Sequence, residues 1–187
     1  MKEKLKKFSP EEKKILAAAG IIGILMLILD LFTKFWIVKS FRLHESIELI
    51  PGVLAFTSVR NYGAAWSILS GYGWLLLSFA LITAVLLCLF FRKITEGWSE
   101  RYFALTLLLA GIIGNSADRF FRGAVVDFIH VHWYDVWHYP VFNVADIALC
   151  CGVGIFILSN LLRKNPGSLA APGRWRRRKR LWRRSRK

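Results

Sequence analysis

The chain is poor in acidic residues and in charge overall. Its 187 residues include 12 Asp and Glu against 27 Lys and Arg, and charged residues make up only 21% of the sequence. The basic residues gather at the two ends, six in residues 1–14 and twelve in residues 163–187. Because 55% of the chain is apolar, this distribution argues against a soluble globular enzyme, a disordered chain and a disulfide-rich secreted domain. It favours a polytopic membrane protein.

Cysteine is also scarce. Cys88, Cys150 and Cys151 all lie inside apolar runs, and no CxxC or Cys/His spacing typical of a metal site occurs. We interpret the three as small apolar residues on helix surfaces.

Four apolar runs are long enough to cross a membrane as helices, given ~1.5 Å per residue and a hydrocarbon core of ~30 Å. They cover about residues 15–38, 71–91, 102–121 and 144–162. The first is not expected to be a cleavable signal peptide, because it is too long and contains Asp30 and Lys34.

The basic residues predict the orientation of these spans. Four crossings put the N-terminal segment 1–14, the loop 92–101 and the tail 163–187 on one side, and the excess of Lys and Arg assigns that side to the cytoplasm. Residues 15–162 then form one four-span domain. The tail predicts contact with anionic lipid rather than nucleic acid, because it follows a span directly.

The two outer loops have different patterns. Residues 41–60 alternate in short stretches broken by Pro51-Gly52, which predicts a small β-hairpin. The second outer loop is rich in Trp and Tyr, which is typical of a belt at the lipid headgroups.

Ionisable side chains inside membrane spans are costly and need a physical reason. Counting along the helices puts eight polar residues near one depth, in the outer leaflet, which predicts one site. They are Asp30, Lys34, Asn115, Asp118, Arg119, Asp127, Asn143 and Asp146. For Asp30, Lys34 and Asp118 a second interpretation stays open, in which they are interhelical contacts that hold the helices together.

Asp127 and Asp146 are harder to explain as structural contacts, because neither has an opposite charge at helical spacing. Two carboxylates that converge raise each other's pKa and share a proton. That arrangement suits acid/base activation of water against an amide, with either residue as the base.

Two alternatives remain at this point. His130 and His132 alternate near Asp127 and Asp135, so a metal site is conceivable beside the simpler interpretation as interfacial side chains. A small proton-coupled transporter would also use intramembrane Asp and Lys, but its polar residues would be spread over the membrane depth.

Five short motifs occur in order on this four-span chain. They are LDLFTK (29–34), NYGAAWS (61–67), GNSADR (114–119), VVDF (125–128) and FNVAD (142–146). Together they resemble the bacterial lipoprotein signal peptidases, also called signal peptidase II, over about residues 20–162.

The resemblance implies an aspartic endopeptidase of the bacterial inner, or cytoplasmic, membrane. Such an enzyme removes the signal peptide from diacylglyceryl-modified prolipoproteins and cuts on the amino side of the lipidated cysteine. It needs no metal or other cofactor, and it is inhibited by globomycin-type compounds. We expect a monomer in contact with membrane lipids, with no nucleic-acid partner.

The resemblance also assigns roles to residues. Asp127 and Asp146 would be the catalytic dyad, and Asn61 would contact the substrate backbone. Arg119 would pair with Asp118 or face the substrate. The residues that would line and organise the site are Asn115, Asp118, Arg119 and Asn143, with Asp30 and Lys34 as the polar pair of the first helix.

The implied fold is a membrane all-α protein. It is a four-helix transmembrane bundle with a small extracytoplasmic β-sheet cradle and a short helix in the second outer loop. Both termini would be cytoplasmic, and the active site would lie near the outer leaflet.

Overall fold

The computed structural model describes residues 8–64, 68–134 and 136–163. The expectations for the first seven residues, for the tail beyond residue 163, for the end of the NYGAAWS motif and for Asp135 lie outside the described residues. The helices are α1 (Pro10–Ser40), α2 (Gly73–Leu89), α3 (Phe91–Thr95), α4 (Ser99–Arg122) and α5 (Val144–Arg163). The strands are β1 (Ser46–Ile50), β2 (Leu54–Asn61), β3 (Val125–Trp133) and β4 (Trp137–His138).

Helix α1 begins with a complete capping box. The Ser9 amide donates to Glu12 Oε2 at 2.7 Å, and the Glu12 amide donates to Ser9 Oγ at 3.2 Å. Pro10 follows at the first helical position, where its missing N–H costs nothing. The helix therefore begins before the apolar run predicted from residue 15.

Among the described residues, two helices are long and apolar enough to cross a membrane by length and composition, Pro10–Ser40 and Val144–Leu162. Helix α2 is also apolar but has 17 residues. Large apolar side chains on these helices are open to the surroundings, with Leu25 59% and Phe79 65% exposed. An apolar surface of this extent is typical of helices that face lipid.

Helix α4 packs against α1, α2 and α5. Small residues allow the α4–α5 approach. A Cβ placed on Gly111 would lie 2.5 Å from the Ala145 carbonyl oxygen, and one on Gly152 would lie 2.8 Å from the Ala104 carbonyl oxygen. Close helix packing of this kind is common in membranes, where burial of apolar surface does not drive association.

The four strands form one antiparallel sheet in the order β1-β2-β3-β4. The hairpin predicted within residues 41–60 is confirmed as β1 and β2, which are joined at Pro51-Gly52. Gly52 has a φ of 71°, and the ring of Tyr134 lies where its Cβ would be, so glycine is required on both counts.

The short helix expected in the second outer loop is wrong for the described residues, which form β3 and β4 there. The stretch VVDFIHVHW is rich in β-branched and aromatic residues, which favour a pleated strand. Strand β3 also pairs with β2 over much of its length, from Asn61↔Val125 to Leu54↔Val131. The backbone N–H and C=O groups therefore find partners in the sheet rather than in a helical turn.

The outer sheet rests on the end of α1. Ile37 and Phe41 form a buried cluster with Val126 and Phe128 of β3 and with Val144 of α5. Because side chains alternate along a strand, Asp127, which lies between Val126 and Phe128, points the other way. This alternation turns Asp127 towards the cavity described next.

Candidate active site

Asp127 lies on β3 and is only 3% exposed. Its Oδ1 accepts a hydrogen bond from Asn143 Nδ2 at 2.6 Å, and its Oδ2 accepts one from Asn61 Nδ2 at 3.0 Å. Both carboxylate oxygens are therefore held by amide groups from other elements.

Asp146 lies in the first turn of α5 and forms a reciprocal cap with Asn143. The Asn143 amide donates to Asp146 Oδ2 at 3.1 Å, and the Asp146 amide donates to Asn143 Oδ1 at 3.0 Å. The sequence favours this geometry, because Asn is a preferred N-cap and an acidic residue three positions later can reach back.

Two asparagines join the two carboxylates. Asn115 Nδ2 donates to Asp146 Oδ1 at 2.8 Å, and Asn143 Nδ2 contacts both Asp127 and Asn115 Oδ1, the latter at 3.1 Å. An unbroken chain of hydrogen bonds therefore runs from Asp127 through Asn143 and Asn115 to Asp146.

A buried lysine extends this chain. Lys34 Nζ lies 2.8 Å from Asp30 Oδ2, 3.2 Å from Asp118 Oδ2 and 2.8 Å from Asn115 Oδ1. The Lys34, Asp30 and Asp118 side chains are at most 1% exposed. The group supports both interpretations of these residues, because it ties α1 to α4 and also fixes the amide that contacts Asp146.

Backbone groups complete the arrangement in a way that the sequence did not indicate. The Ala145 amide donates to Asp30 Oδ1 at 2.8 Å, and the Val126 amide donates to Asp118 Oδ2 at 3.1 Å. The donating residues, Ala145 and Val126, directly precede Asp146 and Asp127 in the sequence. The buried acids of α1 and α4 thus fix the backbone next to the pair.

Arg122 was missed in the sequence. Its Nη1 donates to Asp118 Oδ1 at 2.6 Å, whereas Arg119 donates to the Gly63 carbonyl at 2.9 Å and to the Asn115 carbonyl at 3.5 Å. Of the two alternatives expected for Arg119, the pair with Asp118 does not form, because Arg122 holds that carboxylate. The helical spacing of four residues was the available signal, since residues i and i+4 share a face and neighbours in sequence do not.

Both carboxylates line one cavity of about 570 Å³. Arg119, Asn61 and Asn115 also line it. Its remaining walls are largely apolar and come from four directions, the β2–β3 sheet, α2, α4 with α5, and the segment 139–142. A mostly apolar cavity with a few convergent polar groups is the usual form of a binding site.

The surroundings of Asp127 shift the pKa of its carboxyl. Burial, and then the nearby Asp146, raise the pKa of Asp127 to about 7, against the opposing effects of the Asn61 and Asn143 hydrogen bonds. Asp127 is therefore about half protonated at pH 7, far more than an ordinary carboxyl. A carboxyl that can hold a proton near neutral pH, beside a second carboxyl in the same cavity, suits general acid/base chemistry.

The histidines lie apart from this cavity. His130 and His132 share a face of β3, as their alternation predicted, and neither lines the cavity that holds Asp127. Among the described residues, no group of three or more His, Cys, Asp or Glu has an arrangement that could hold a metal ion.

All nine residues named from the sequence are thus in one contiguous network. They are Asp30, Lys34, Asn61, Asn115, Asp118, Arg119, Asp127, Asn143 and Asp146. Sequence reasoning missed Arg122 and the cavity wall at 139–142.

Comparison with known proteins assigns this arrangement to a class. The family described as signal peptidase (SPase) II matches residues 22–162, so the chain is a protease. It belongs to the signal peptidase II family.

Individual relatives agree. Proteins named lipoprotein signal peptidase include those of Haemophilus ducreyi, 40% identical over 151 residues, which cover 79% of this chain and 92% of the relative. The Pasteurella multocida protein is 44% identical over 135 residues, with 70% and 81% covered. The Halalkalibacterium halodurans protein is 43% identical over 140 residues, with 74% and 88% covered.

Two solved structures are also similar. A bacterial membrane enzyme determined by the in meso method at 2.3 Å resolution is 34% identical with a TM-score of 0.75, covering 83% of this chain and 94% of that one. A second, at 1.9 Å, is 37% identical with a TM-score of 0.69, covering 78% and 93%. Together with the apolar helices, these likenesses make the chain a membrane protein.

Proposed function

We propose that this chain is an intramembrane aspartic endopeptidase that removes signal peptides from diacylglyceryl-modified bacterial prolipoproteins. It cuts on the amino side of the lipidated cysteine. The main observation that supports this proposal is the pair of carboxylates, Asp127 and Asp146, which line one cavity and are joined through Asn143 and Asn115. Its relatives are named lipoprotein signal peptidases, which supports the substrate class.

The protonation pattern suggests how the two carboxyls divide the reaction. Asp146, at the start of α5, acts as the base and takes a proton from a water molecule that attacks the scissile carbonyl. Asp127 acts in its protonated form, which its pKa of about 7 makes available near neutral pH. It donates a hydrogen bond to the carbonyl oxygen and stabilises the developing negative charge. The proton on Asp127 then passes to the leaving amine. The pair ends with a proton on Asp146 instead of Asp127, and the reaction needs no metal.

The surrounding groups position this pair and the substrate. Asn61 Nδ2 donates to Asp127, and the side-chain oxygen Oδ1 of Asn61 accepts from the Gly63 amide at 3.0 Å. Arg119 is fixed by the Gly63 carbonyl while it lines the cavity, so it faces the peptide carbonyls of a bound substrate. The apolar walls exclude bulk water other than the attacking molecule, which strengthens each of these contacts.

The membrane arrangement follows the charge distribution. Helices α1, α2, α4 and α5 would be four spans of one domain, residues 15–162, with the basic segments 1–14 and 163–187 on the cytoplasmic side of the inner membrane. The site would then lie at the outer leaflet, where diacylglyceryl chains stay in lipid while the peptide bond reaches the carboxyls. Globomycin-type inhibitors would occupy the same cavity, and the enzyme would act as a monomer. The family assignment does not favour the proton-coupled transporter.

The test is a gel-shift cleavage assay on a diacylglyceryl-modified prolipoprotein with EDTA present. We expect cleavage by the wild type and loss of at least about 1,000-fold in Asp127→Asn and Asp146→Asn, because each removes one acid/base partner. Glu45→Gln, outside the cavity lining, is the matched control and should keep full activity. Cleavage by either aspartate variant, or inhibition by EDTA, would contradict the proposal.

A further inference from the structure

A ladder of side chains crosses the outer sheet, with one residue from each strand. Ser46 Oγ lies 2.8 Å from Thr57 Oγ1, which lies 3.3 Å from His130 Nδ1. His130 Nε2 in turn lies 3.3 Å from His138 Nδ1. The ladder therefore ends on β4, which is only two residues long.

His130 and His138 belong to a cluster of three imidazoles. The ring centroids are 4.9 Å apart for His130 and His132, 5.3 Å for His130 and His138, and 5.7 Å for His132 and His138. The charged group that faces them is Glu48 of β1, whose Oε1 lies 3.9 Å from His132 Nε2. A proton on His132 therefore has a carboxylate partner, whereas the His130–His138 pair has none of its own among the described residues.

The cluster lies directly before a wall of the cavity. His138 is followed by residues 139–142, which line the cavity that holds both carboxylates. This wall is fixed to β3 by the Tyr139 amide on the Val131 carbonyl at 2.9 Å and the Phe142 amide on the Ile129 carbonyl at 3.0 Å. Loss of the His138 side-chain contact would thus weaken the attachment of this segment at its upstream end, where only the two-residue β4 pairing remains.

We infer that His130 and His138 are positioning residues, which hold the 139–142 wall against β3 only while their two facing nitrogens share one proton. An N–H···N bond needs one donor and one acceptor. When both rings become imidazolium, each facing nitrogen carries a proton, so the bond is lost and two cations stand about 5.3 Å apart. The inference rests on the proposed function only where it concerns substrate binding.

The titration supports this direction. Burial, followed by the neighbouring His132 and His138, lowers the pKa of His130. The unfolded chain then binds this proton more readily than the folded protein does. The stabilisation is fully present above the ordinary His pKa of about 6.5 and is lost as pH falls through the lower folded value.

Asp127 does not explain such a loss. With a pKa of about 7 it gains a proton over the same interval. Gaining that proton removes a buried charge, which would stabilise the site on acidification rather than loosen it.

The test is hydrogen exchange of the intact protein in detergent micelles at pH 7.5 and 5.5, corrected for intrinsic rates. In the wild type we expect protection of the Tyr139 and Phe142 amides to fall about ten-fold at pH 5.5, while the β1–β2 hairpin is unchanged. His138→Gln and His130→Gln should each reduce this pH dependence to about two-fold or less. His44→Gln, the same change elsewhere on the outer surface, should behave as the wild type.

An unchanged wild-type protection at the two pH values would overturn the inference whatever the variants do. An equal pH dependence in the wild type and both His variants would also overturn it. This measurement needs no peptidase activity, so its failure is distinct from failure of the proposed function. In the cleavage assay, the wild-type KM should rise at pH 5.5 several-fold more than that of His138→Gln, and equal rises would disprove the link to substrate binding.

Discussion

Asn143 and Asp146 cap each other at the start of α5, each accepting on its side chain from the other's backbone amide, at 3.0 and 3.1 Å. The same asparagine donates to Asp127 at 2.6 Å. One residue thus performs a structural task, beginning the last helix, and a chemical one, fixing the distance between two carboxyls.

These two tasks can be separated by substitution at Asn143. Asn143→Ala removes the cap and the bond to Asp127, so it should lower stability by about 1 kcal/mol and kcat by roughly 100-fold. Asn143→Ser keeps a good N-cap but is too short to reach Asp127. Thermal unfolding in detergent should therefore recover in the serine variant while kcat stays low. Recovery of both would show that the cap alone matters.

The raised pKa of Asp127 predicts the alkaline side of the pH profile. The reaction needs this carboxyl protonated, so kcat/KM should fall above about pH 7, by about ten-fold per pH unit. A profile that stays flat from pH 6 to pH 9 would contradict the assigned role of Asp127.

Stability should change with pH for the same reason. Between 3.8 and about 7 the folded protein holds a proton on Asp127 that the unfolded chain has lost. The free energy of unfolding should therefore decrease as pH rises through this interval, and the decrease should be absent in Asp127→Asn. Unfolding temperatures of the two proteins, measured over the same pH series, check the sign.

Removal of Lys34 tests the buried charges. Lys34→Met leaves Asp30, 1% exposed, without its cation, whereas Asp118 keeps Arg122. We expect a loss of about 3–5 kcal/mol, or an unfolding temperature roughly 10 °C lower. Adding Asp30→Asn should recover much of the loss, because it removes the uncompensated charge.

The control for this experiment is Lys14→Met. Lys14 forms an exposed pair with Glu11 at 3.8 Å, and such pairs contribute at most about 1 kcal/mol. A Lys34 variant that unfolds at the same temperature as the Lys14 variant would show that the buried pair does not stabilise the fold.

The close approach of α4 and α5 predicts a steric effect. Gly111→Ala would place a methyl group 2.5 Å from the Ala145 carbonyl, so α5 must shift, at about 1–3 kcal/mol and with reduced activity. Gly154→Ala, where nothing lies within 4 Å, should be neutral or slightly stabilising. Equal behaviour of the two variants in unfolding and cleavage assays would exclude tight packing at Gly111.

Much of this arrangement was predictable from the sequence because it depends on local patterns. Apolar runs placed the long helices to within a few residues, for example 102–121 against Ser99–Arg122. Helical spacing of Asn115, Asp118 and Arg119 placed their side chains at one level of α4. Pro51-Gly52 marked a hairpin because its turn chemistry is local.

The rest depends on long-range contacts. Residues 125–133 form a strand because β2 supplies their hydrogen-bond partners, and the sequence of the loop alone does not show this partner. The bonds from Ala145 to Asp30 and from Val126 to Asp118 use backbone amides, which leave no signature in the sequence. The imidazole cluster likewise requires β4 to pair with β3 so that His138 lies opposite His132.

The bond between Asp30 and the Ala145 amide joins positions 115 residues apart. During synthesis, the helix that carries Asp30 leaves the ribosome long before the one that begins beside Ala145. A nascent chain therefore cannot assemble the reactive centre early, however well its first helices are inserted. Proteolytic competence should appear only once α5 has been synthesised and has packed beside α1.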